Sequence, residues 1–497
     1  MSLDILLLIG AAVVVVAVIV AKVGDRLGVP ALLLFLFLGV LMEVPADGAL
    51  FNNSVLAHDL GFVALVLILA DGGLSTKWRD IRPAIWSSVL LATVAVAITI
   101  ALVAAFAYLV LGVPLAIAVL VAAIMAPTDS AAVFSVLRSV SLPPRVRAML
   151  EGESGLNDAP TVLLVIAATD LAMGRIGYRD LPLTGLLILA ELIGGLALGA
   201  ALGWLGVRLL RNLALPASGL YPLAALGWAI IPYGVGVAVH VSGFAAVYTC
   251  SVLLANGKLP HRHATRSFVE GIGWIAQIGL FVMLGLLSTP SRISITTLVQ
   301  AVMLGLFLTF VARPASVAAV LTPSRVPWRE QAFVSWAGLR GAVPIILATI
   351  PMSAGLPLAN DLFDIVFVTV IVLTLLNAPS LPWVARRLGL AGDPNEVDIE
   401  VAPLDQVEAD LLQLEVAEGS RLHGVSVSEL RLPPNAQVSL VIRGNQTFTP
   451  HGRDSLREGD ELLIVTPSAV RGQVEDQLRA IDRGGRLARW SSSPAII

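Results

Sequence analysis

Only one cysteine, Cys250, occurs in the 497 residues. A disulfide framework and any thiolate metal site are therefore excluded. Charge is also scarce, at 13% of residues. Soluble domains carry about 25%, so a soluble globular fold is excluded as well. No glycine-rich phosphate loop is present, and no Thr-x-Gly-Tyr-Gly run of the kind that lines cation-channel filters. Met1 to Asp4 lacks a basic region, and the apolar run from Ile5 continues without an Ala-x-Ala cleavage site. It reads as a first transmembrane helix and not as a leader. The net charge of −3 gives no support for a nucleic-acid partner.

What remains is apolar: 57% hydrophobic residues and a mean hydropathy of +0.87. The chain reads as an all-α polytopic membrane protein with a small cytosolic α+β domain. Windows of about 20 residues place candidate spans at roughly 3–21, 29–44, 56–73, 83–112, 114–139, 147–173, 184–212, 219–239, 242–257, 266–288, 295–320, 330–353 and 360–385, thirteen in all. Basic residues follow every odd span: Lys22 and Arg26; Lys77, Arg79 and Arg82; Arg138, Arg145 and Arg147; Arg208 and Arg211; Lys258, Arg262 and Arg266; Arg325 and Arg329; Arg386 and Arg387. The opposite loops carry only Arg175, Arg179 and Arg292. By the positive-inside rule the N-terminus is outside and the C-terminus cytoplasmic.

Two spans are interrupted. The fifth contains Ala126-Pro127-Thr128-Asp129, and the twelfth contains Gly338-Leu339-Arg340-Gly341-Ala342-Val343-Pro344. They occupy matching places in two six-helix halves of opposite orientation, with the seventh helix as a linker. Broken helices in inverted halves point to a midplane ion site.

The sixth span adds Glu151-Gly152-Glu153-Ser154-Gly155-Leu156-Asn157-Asp158-Ala159-Pro160. A carboxylate at the bilayer centre costs about 2.5–3.5 kcal/mol on insertion scales, so Asp129, Glu153 and Asp158 need a common explanation. A buried polar network that only locks helices together would not need an Asn-Asp pair flanked by glycine and proline. Ser154 and Asp158 share one helical face, and Glu153 and Asn157 share the next. Carboxylate, hydroxyl and freed carbonyl oxygens suit an alkali cation. A proton and a cation would then compete for Asp158. Arg340 is expected to pair with Glu153, leaving Asp158 free. Asp71 either lines the cytoplasmic entrance or begins a polar loop. Glu191, Gln277 and Arg313 are read as structural polar groups. Gly152-Glu153-Ser154-Gly155 also fits an intramembrane serine protease, but a serine nucleophile needs a base, and the only intramembrane candidate is His240.

After Arg387 the composition turns polar. Domains are expected at 1–388 (membrane), 389–400 (linker carrying Glu396, Asp398 and Glu400), 401–483 (cytosolic module carrying Asp405, Glu408 and Asp410) and 484–497 (disordered tail). Strands are expected over Leu411–Val416 and Glu461–Thr466, a hairpin at Val438–Arg443 and Gln446–Thr449 around Gly444-Asn445, and a helix over Ser468–Ile481.

On these motifs residues 3–388 resemble the monovalent cation:proton antiporter-1 family, the NhaP and sodium–proton exchanger group. The resemblance rests on Ala126-Pro127-Thr128-Asp129, on Glu153-Ser154 with Asn157-Asp158, and on Gly338-Leu339-Arg340-Gly341-Ala342. It implies thirteen helices in an inverted repeat, a core moving against a dimerisation domain, and a homodimer. It makes Asp158 the ion-binding carboxylate with Ser154 and Thr128 as further ligands. Asp129 and Asn157 would organise the crossing, Glu153 would pair with Arg340, and an acidic residue stands at Asp71. The Asn-Asp pair implies electroneutral exchange of K+ or Na+ for H+ across the bacterial inner membrane, without a cofactor. Residues 401–483 resemble the RCK-C (TrkA C-terminal) regulatory module, on Glu418-Gly419-Ser420-Arg421-Leu422-His423-Gly424, Val441-Ile442-Arg443 and Leu456-Arg457-Glu458-Gly459-Asp460-Glu461-Leu462. That module implies a regulatory small-molecule ligand and the potassium/proton subtype. A ligand-gated cation channel is the alternative the tail suggests.

Overall fold

The computed structural model describes residues 3–484 apart from 28–29, 44–50, 52, 138–139, 141, 214, 218, 258, 392–399, 405–408, 418 and 445. Arg138, Lys258, Glu396, Asp398, Asp405, Glu408, Glu418, Asn445 and the tail from 485 lie outside the described residues. The chain forms two compact units, Met1–Ala391 and Gly392–Ile497.

The first unit is helical: α1 (Leu3–Leu27), α2 (Ala31–Glu43), α3 (Ser54–Ser75), α4 (Trp78–Leu109), α5 (Leu115–Ile124), α6 (Ser130–Val136), α7 (Pro144–Ala172), α8 (Leu181–Asn212), α9 (Leu220–Ala238), α10 (Gly243–Asn256), α11 (Arg262–Leu287), α12 (Ile295–Leu321), α13 (Trp328–Trp336), α14 (Ala342–Ser353), α15 (Ala359–Asn377) and α16 (Leu381–Arg387). Among the described residues seven helices are long and apolar enough to cross a membrane, and several shorter apolar helices accompany them. Helix α7 is absent from that set although it has 29 residues. Its carboxylates and arginines lower its hydropathy, as expected of a helix that carries function. Several helix starts satisfy their free N–H groups with a side chain: Asn53 accepts from the Leu56 N–H, Ser242 from Ala245 and Ser294 from Thr297.

Close helix approach rests on small residues. A Cβ at Gly39 of α2 would collide with the Val282 carbonyl of α11, and one at Gly285 with the Leu36 carbonyl. Helix α11 is thereby held on α2, and it packs on α3 as well.

Helices α4 and α12 each contain a π-helical turn, Leu91–Ala95 and Leu308–Ala312. The second turn lies 217 residues after the first. Thr99 and Ser316 keep the same 217-residue offset, and their hydroxyls are 3.0 Å apart. Residues that meet their own counterparts lie on the local twofold axis of two inverted halves. The second turn has a local cause: Pro314 lacks the N–H that would bond back to Phe310, so the ladder must readjust there. At the first turn the Thr93 hydroxyl donates to the Val89 carbonyl at 2.6 Å.

The second unit is a five-stranded antiparallel sheet in the order β1-β2-β5-β3-β4, with β1 Glu400–Leu404, β2 Ala409–Glu415, β3 Gln437–Arg443, β4 Gln446–Phe448 and β5 Asp460–Pro467, followed by α17 (Arg471–Gly484). Strand β5 alternates buried and half-buried residues, and Leu462 and Ile464 join Leu412, Leu414, Val474 and Leu478 in one core. Strand β1, at the start of the expected module, is not among the strands that the sequence predicts. Pro403 and the acidic composition hide it, but proline is tolerated on an edge strand, and β1 is an edge.

Candidate ion-binding site

The two interrupted spans meet at their breaks. Helix α5 ends at Ile124, with Met125 as its cap, and α6 starts at Ser130; α13 ends at Trp336 and α14 starts at Ala342. The intervening strands of chain touch, with the Asp129 N–H donating to the Leu339 carbonyl at 2.9 Å. A helix end leaves carbonyls or N–H groups unpaired and carries a partial charge. Arg340, 1% exposed, answers the C-terminal end of α5: its Nε donates to the Met125 carbonyl at 2.9 Å. A second guanidinium nitrogen donates to the Gly338 carbonyl at 2.7 Å. The Asp129 carboxylate answers the N-terminal end of α6, accepting from the Ala132 N–H at 3.2 Å. That carboxylate lies over Gly341, where any Cβ would collide with it.

Helix α7 presents two faces. Glu151, Ser154, Gly155 and Asp158 line a cavity of about 270 Å³ together with Thr128 and Asp129. Glu153 and Asn157 point into the protein behind that wall. The Asn157 amide donates to the Thr128 hydroxyl at 2.9 Å. Asn157, expected with the ion-binding residues, is wholly buried and is not among the residues that line the cavity.

Glu153 does not pair with Arg340. Its two carboxylate oxygens are held by Arg313 of α12, each at 2.7 Å. Both side chains are at most 3% exposed. The reason is geometric: Glu153 faces α12, Arg313 is the first residue after the π-helical turn, and Arg340 is already engaged by the carbonyls of the helix breaks. Arg313, which the sequence presents as a structural polar group, is thus the partner of Glu153. An arginine next to a proline inside an apolar run was the available signal.

The cavity is polar at one end and apolar at the other. Asp71, Ser75, Thr76, Glu151 and Arg266 line the polar end. Asp71 lies inside α3, one turn before its end, with the Ser75 hydroxyl 3.4 Å away and Gly273 of α11 packed against its carboxylate. Leu65, Phe281 and Ile346 line the apolar end. Beyond them α3 meets α14: a Cβ at Gly61 would be 3.3 Å from Ile346, and His58 Nδ1 lies 3.4 Å from the Thr349 hydroxyl. Asp158 is 7% exposed, and its Oδ1 has no hydrogen-bond partner among the described residues. A buried carboxylate oxygen without a partner is costly. It is suited to a group that arrives and leaves, a proton or a desolvated cation. His240 is not among the residues that line the cavity with Ser154, which leaves the protease reading without a base.

The description "Sodium/hydrogen exchanger, transmembrane" matches residues 12–387. The chain belongs to the sodium/hydrogen exchanger family. The TrkA-C domain matches residues 411–479. The K(+)/H(+) antiporter NhaP2 of Shewanella sp. (strain MR-4) is 35% identical over 475 residues, which cover 93% of this chain and 81% of that protein. The K(+)/H(+) antiporter NhaP of Alkalimonas amylolytica is 33% identical over 477 residues, covering 94% and 82%. The solved sodium proton antiporter MjNhaP1 from Methanocaldococcus jannaschii at pH 8 has a TM-score of 0.66 at 22% identity, covering 76% of this chain and 100% of that one. At that identity the likeness carries the fold alone. The chain is thus a multi-pass membrane antiporter of the cation/proton exchanger family with a TrkA-C tail.

Proposed function

We propose that the protein exchanges potassium for protons, one for one, across the bacterial inner membrane, with Asp158 as the residue where the two ions exclude each other. The observation that carries this reading is the unpartnered Asp158 Oδ1 at a cavity wall shared with Ser154 and Thr128. Arg313 and Arg340 are engaged by Glu153 and by backbone carbonyls, and Arg266 stands at the polar end of the cavity, so no ion pair within the protein neutralises Asp158 among the described residues. Ser154 and Thr128 supply neutral oxygens, Asn157 fixes Thr128, and Asp129 with Arg340 holds the crossing. The Glu153 charge is neutralised by Arg313. Sodium uses the same oxygen ligands; the names of the similar proteins favour potassium.

The thirteen-span plan, with the N-terminus outside and the C-terminus in the cytoplasm, makes the polar end of the cavity its cytoplasmic mouth, with Asp71 on the path. The closed α3–α14 contact then faces outside. A cavity closed on one side suits alternating exposure better than a continuous pore, and so favours antiport over a channel. The protein works as a homodimer; the outer face of α8, with Leu186, Ile193 and Trp204 exposed, is apolar enough to meet a second copy. The tail sets activity in response to a small cytosolic ligand. The deciding experiment is dissipation of an imposed pH gradient in proteoliposomes by K+, Na+, Li+ or Rb+. Potassium should be the most effective; a gradient indifferent to all four cations would end the proposal.

A further inference from the structure

The cavity has a second wall, and it carries a polar side chain of its own. Gln277 of α11 lines the cavity opposite α7, between the polar mouth and the apolar seal formed by Leu280 and Phe281. Its side chain is half-buried and makes no hydrogen bond among the described residues. Its position is set by the helix. Arg266, Glu270, Gly273, Gln277 and Leu280 recur every three or four residues and so share one face. Arg266 stands at the mouth, Gly273 receives the Asp71 carboxylate, Leu280 is at the seal, and Gln277 is left between them in the cavity that Ser154 and Asp158 also line. Helix α11 is locked to α2 through Gly39 and Gly285, so this wall belongs to a different packing group from α7.

We propose that Gln277 is a specificity-determining residue for the transported cation. Its amide oxygen completes the cation's shell from the wall opposite Asp158, directly or through one water. This rests on Asp158 being the ion site. A neutral amide oxygen is a hard ligand that favours an alkali cation. It does nothing for a proton, which Asp158 holds covalently. Gln277 therefore acts on one branch of the exchange only. Because it stands on the opposite wall, it also sets the span across which the cation must be coordinated, and a longer span suits K+ and Rb+ better than Li+ and Na+.

The test is exchange kinetics in proteoliposomes with K+, Rb+, Na+ and Li+, comparing wild type with Gln277→Leu, Gln277→Asn and Gln277→Glu. Gln277→Leu should raise KM for K+ by about two- to ten-fold, the effect of one neutral polar contact, and narrow the preference for K+ over Li+. Its maximal rate at saturating cation should stay close to that of wild type. Gln277→Asn should fall between the two. Gln277→Glu should lower KM for all four cations. If Gln277→Leu does not fold, the Asn and Glu variants carry the test. Unchanged KM values and an unchanged cation order in the folded variants would overturn the assignment. So would a fall in maximal rate with KM untouched, which marks a structural role. Asp158→Asn is run beside them. If it still exchanges ions, the site itself is wrong; if it is dead while the Gln277 variants match wild type, only the Gln277 assignment fails.

Discussion

Arg313 grips Glu153 with two guanidinium nitrogens, each 2.7 Å from a carboxylate oxygen. The pair joins α12 to the back of the ion-site helix. Arg340, on the break between α13 and α14, lies within electrostatic reach of both without sharing the carboxylate.

Removing one partner of a buried pair typically costs about 3–5 kcal/mol, because the other charge is left uncompensated. Arg313→Ala should therefore abolish folded protein or lower its melting temperature sharply. Glu153→Gln added to Arg313→Ala should restore part of that loss. Adding Glu153→Gln to Arg340→Ala should restore little, since Arg340 serves backbone carbonyls. Thermal melting of detergent-solubilised wild type, the three single variants Arg313→Ala, Arg340→Ala and Glu153→Gln, and the two double variants forms two double-mutant cycles. Coupling with Arg340 and none with Arg313 would contradict the structure.

Hydropathy and the turn residues made the long apolar helices, both helix breaks and the division of α7 into two faces legible, because each depends on local spacing. The Glu153 partner was not legible for a different reason. Two buried arginines were available, 160 and 187 residues away in the chain, and charge alone cannot choose between them. The choice depends on which guanidinium is already satisfied, and the carbonyls that satisfy Arg340 exist only once α5 and α13 have stopped. Gln277 was hidden similarly: one amide in an apolar helix has no partner in sequence, and its meaning comes from the cavity it faces. Strand β1 was missed because an edge strand needs neither a buried face nor a full set of N–H donors.

Gly341 is where the crossing is tightest. A methyl group there meets the Asp129 carboxylate. Overpacking of this kind costs about 1–3 kcal/mol. Gly341→Ala should leave a folded protein with a lower melting temperature and a large loss of exchange, since Asp129 and the start of α14 move together. Exchange at the wild-type rate would show that the close approach is not needed for transport.

In the tail, Asp460 is wholly buried at the start of β5 and is held by the Arg443 guanidinium through two contacts of 2.7 Å and by the Arg457 N–H at 2.8 Å. Burial alone would raise its pKa; the Arg443 fork and the Arg457 N–H together outweigh burial and hold it below the ordinary carboxylate value. The unfolded tail then binds this proton more readily than the folded one, so stability falls as pH falls. The contribution should be fully present above pH about 4, the unfolded carboxylate range, and lost as pH drops through the folded value. Circular-dichroism melts of residues 401–484 should show Arg443→Ala less stable than wild type at pH 7, with the gap closing below about pH 4. A gap that widened on acidification would reverse the sign of the argument.

Asp158 carries the central prediction. It shares the cavity wall with Ser154, and Arg313 and Arg340 are both engaged elsewhere. Asp158→Asn keeps the shape but can neither ionise nor exchange a proton. It should abolish exchange while the protein stays folded, as judged by its melting temperature and elution volume. Ser154→Ala and Thr128→Ala each remove one neutral ligand and should raise the cation KM with exchange still measurable. One carboxylate that carries either one monovalent cation or one proton moves no net charge per cycle. Exchange should therefore run at the same rate whether or not a potassium–valinomycin potential is imposed on sodium-loaded vesicles. A rate that followed the potential would require a second titrating carboxylate, with Asp129, Asp71 and Glu151 also on the cavity wall, and the one-for-one stoichiometry would have to be given up. Near-normal exchange by Asp158→Asn would instead remove Asp158 from the mechanism, and with it the reading of the cavity as the ion site.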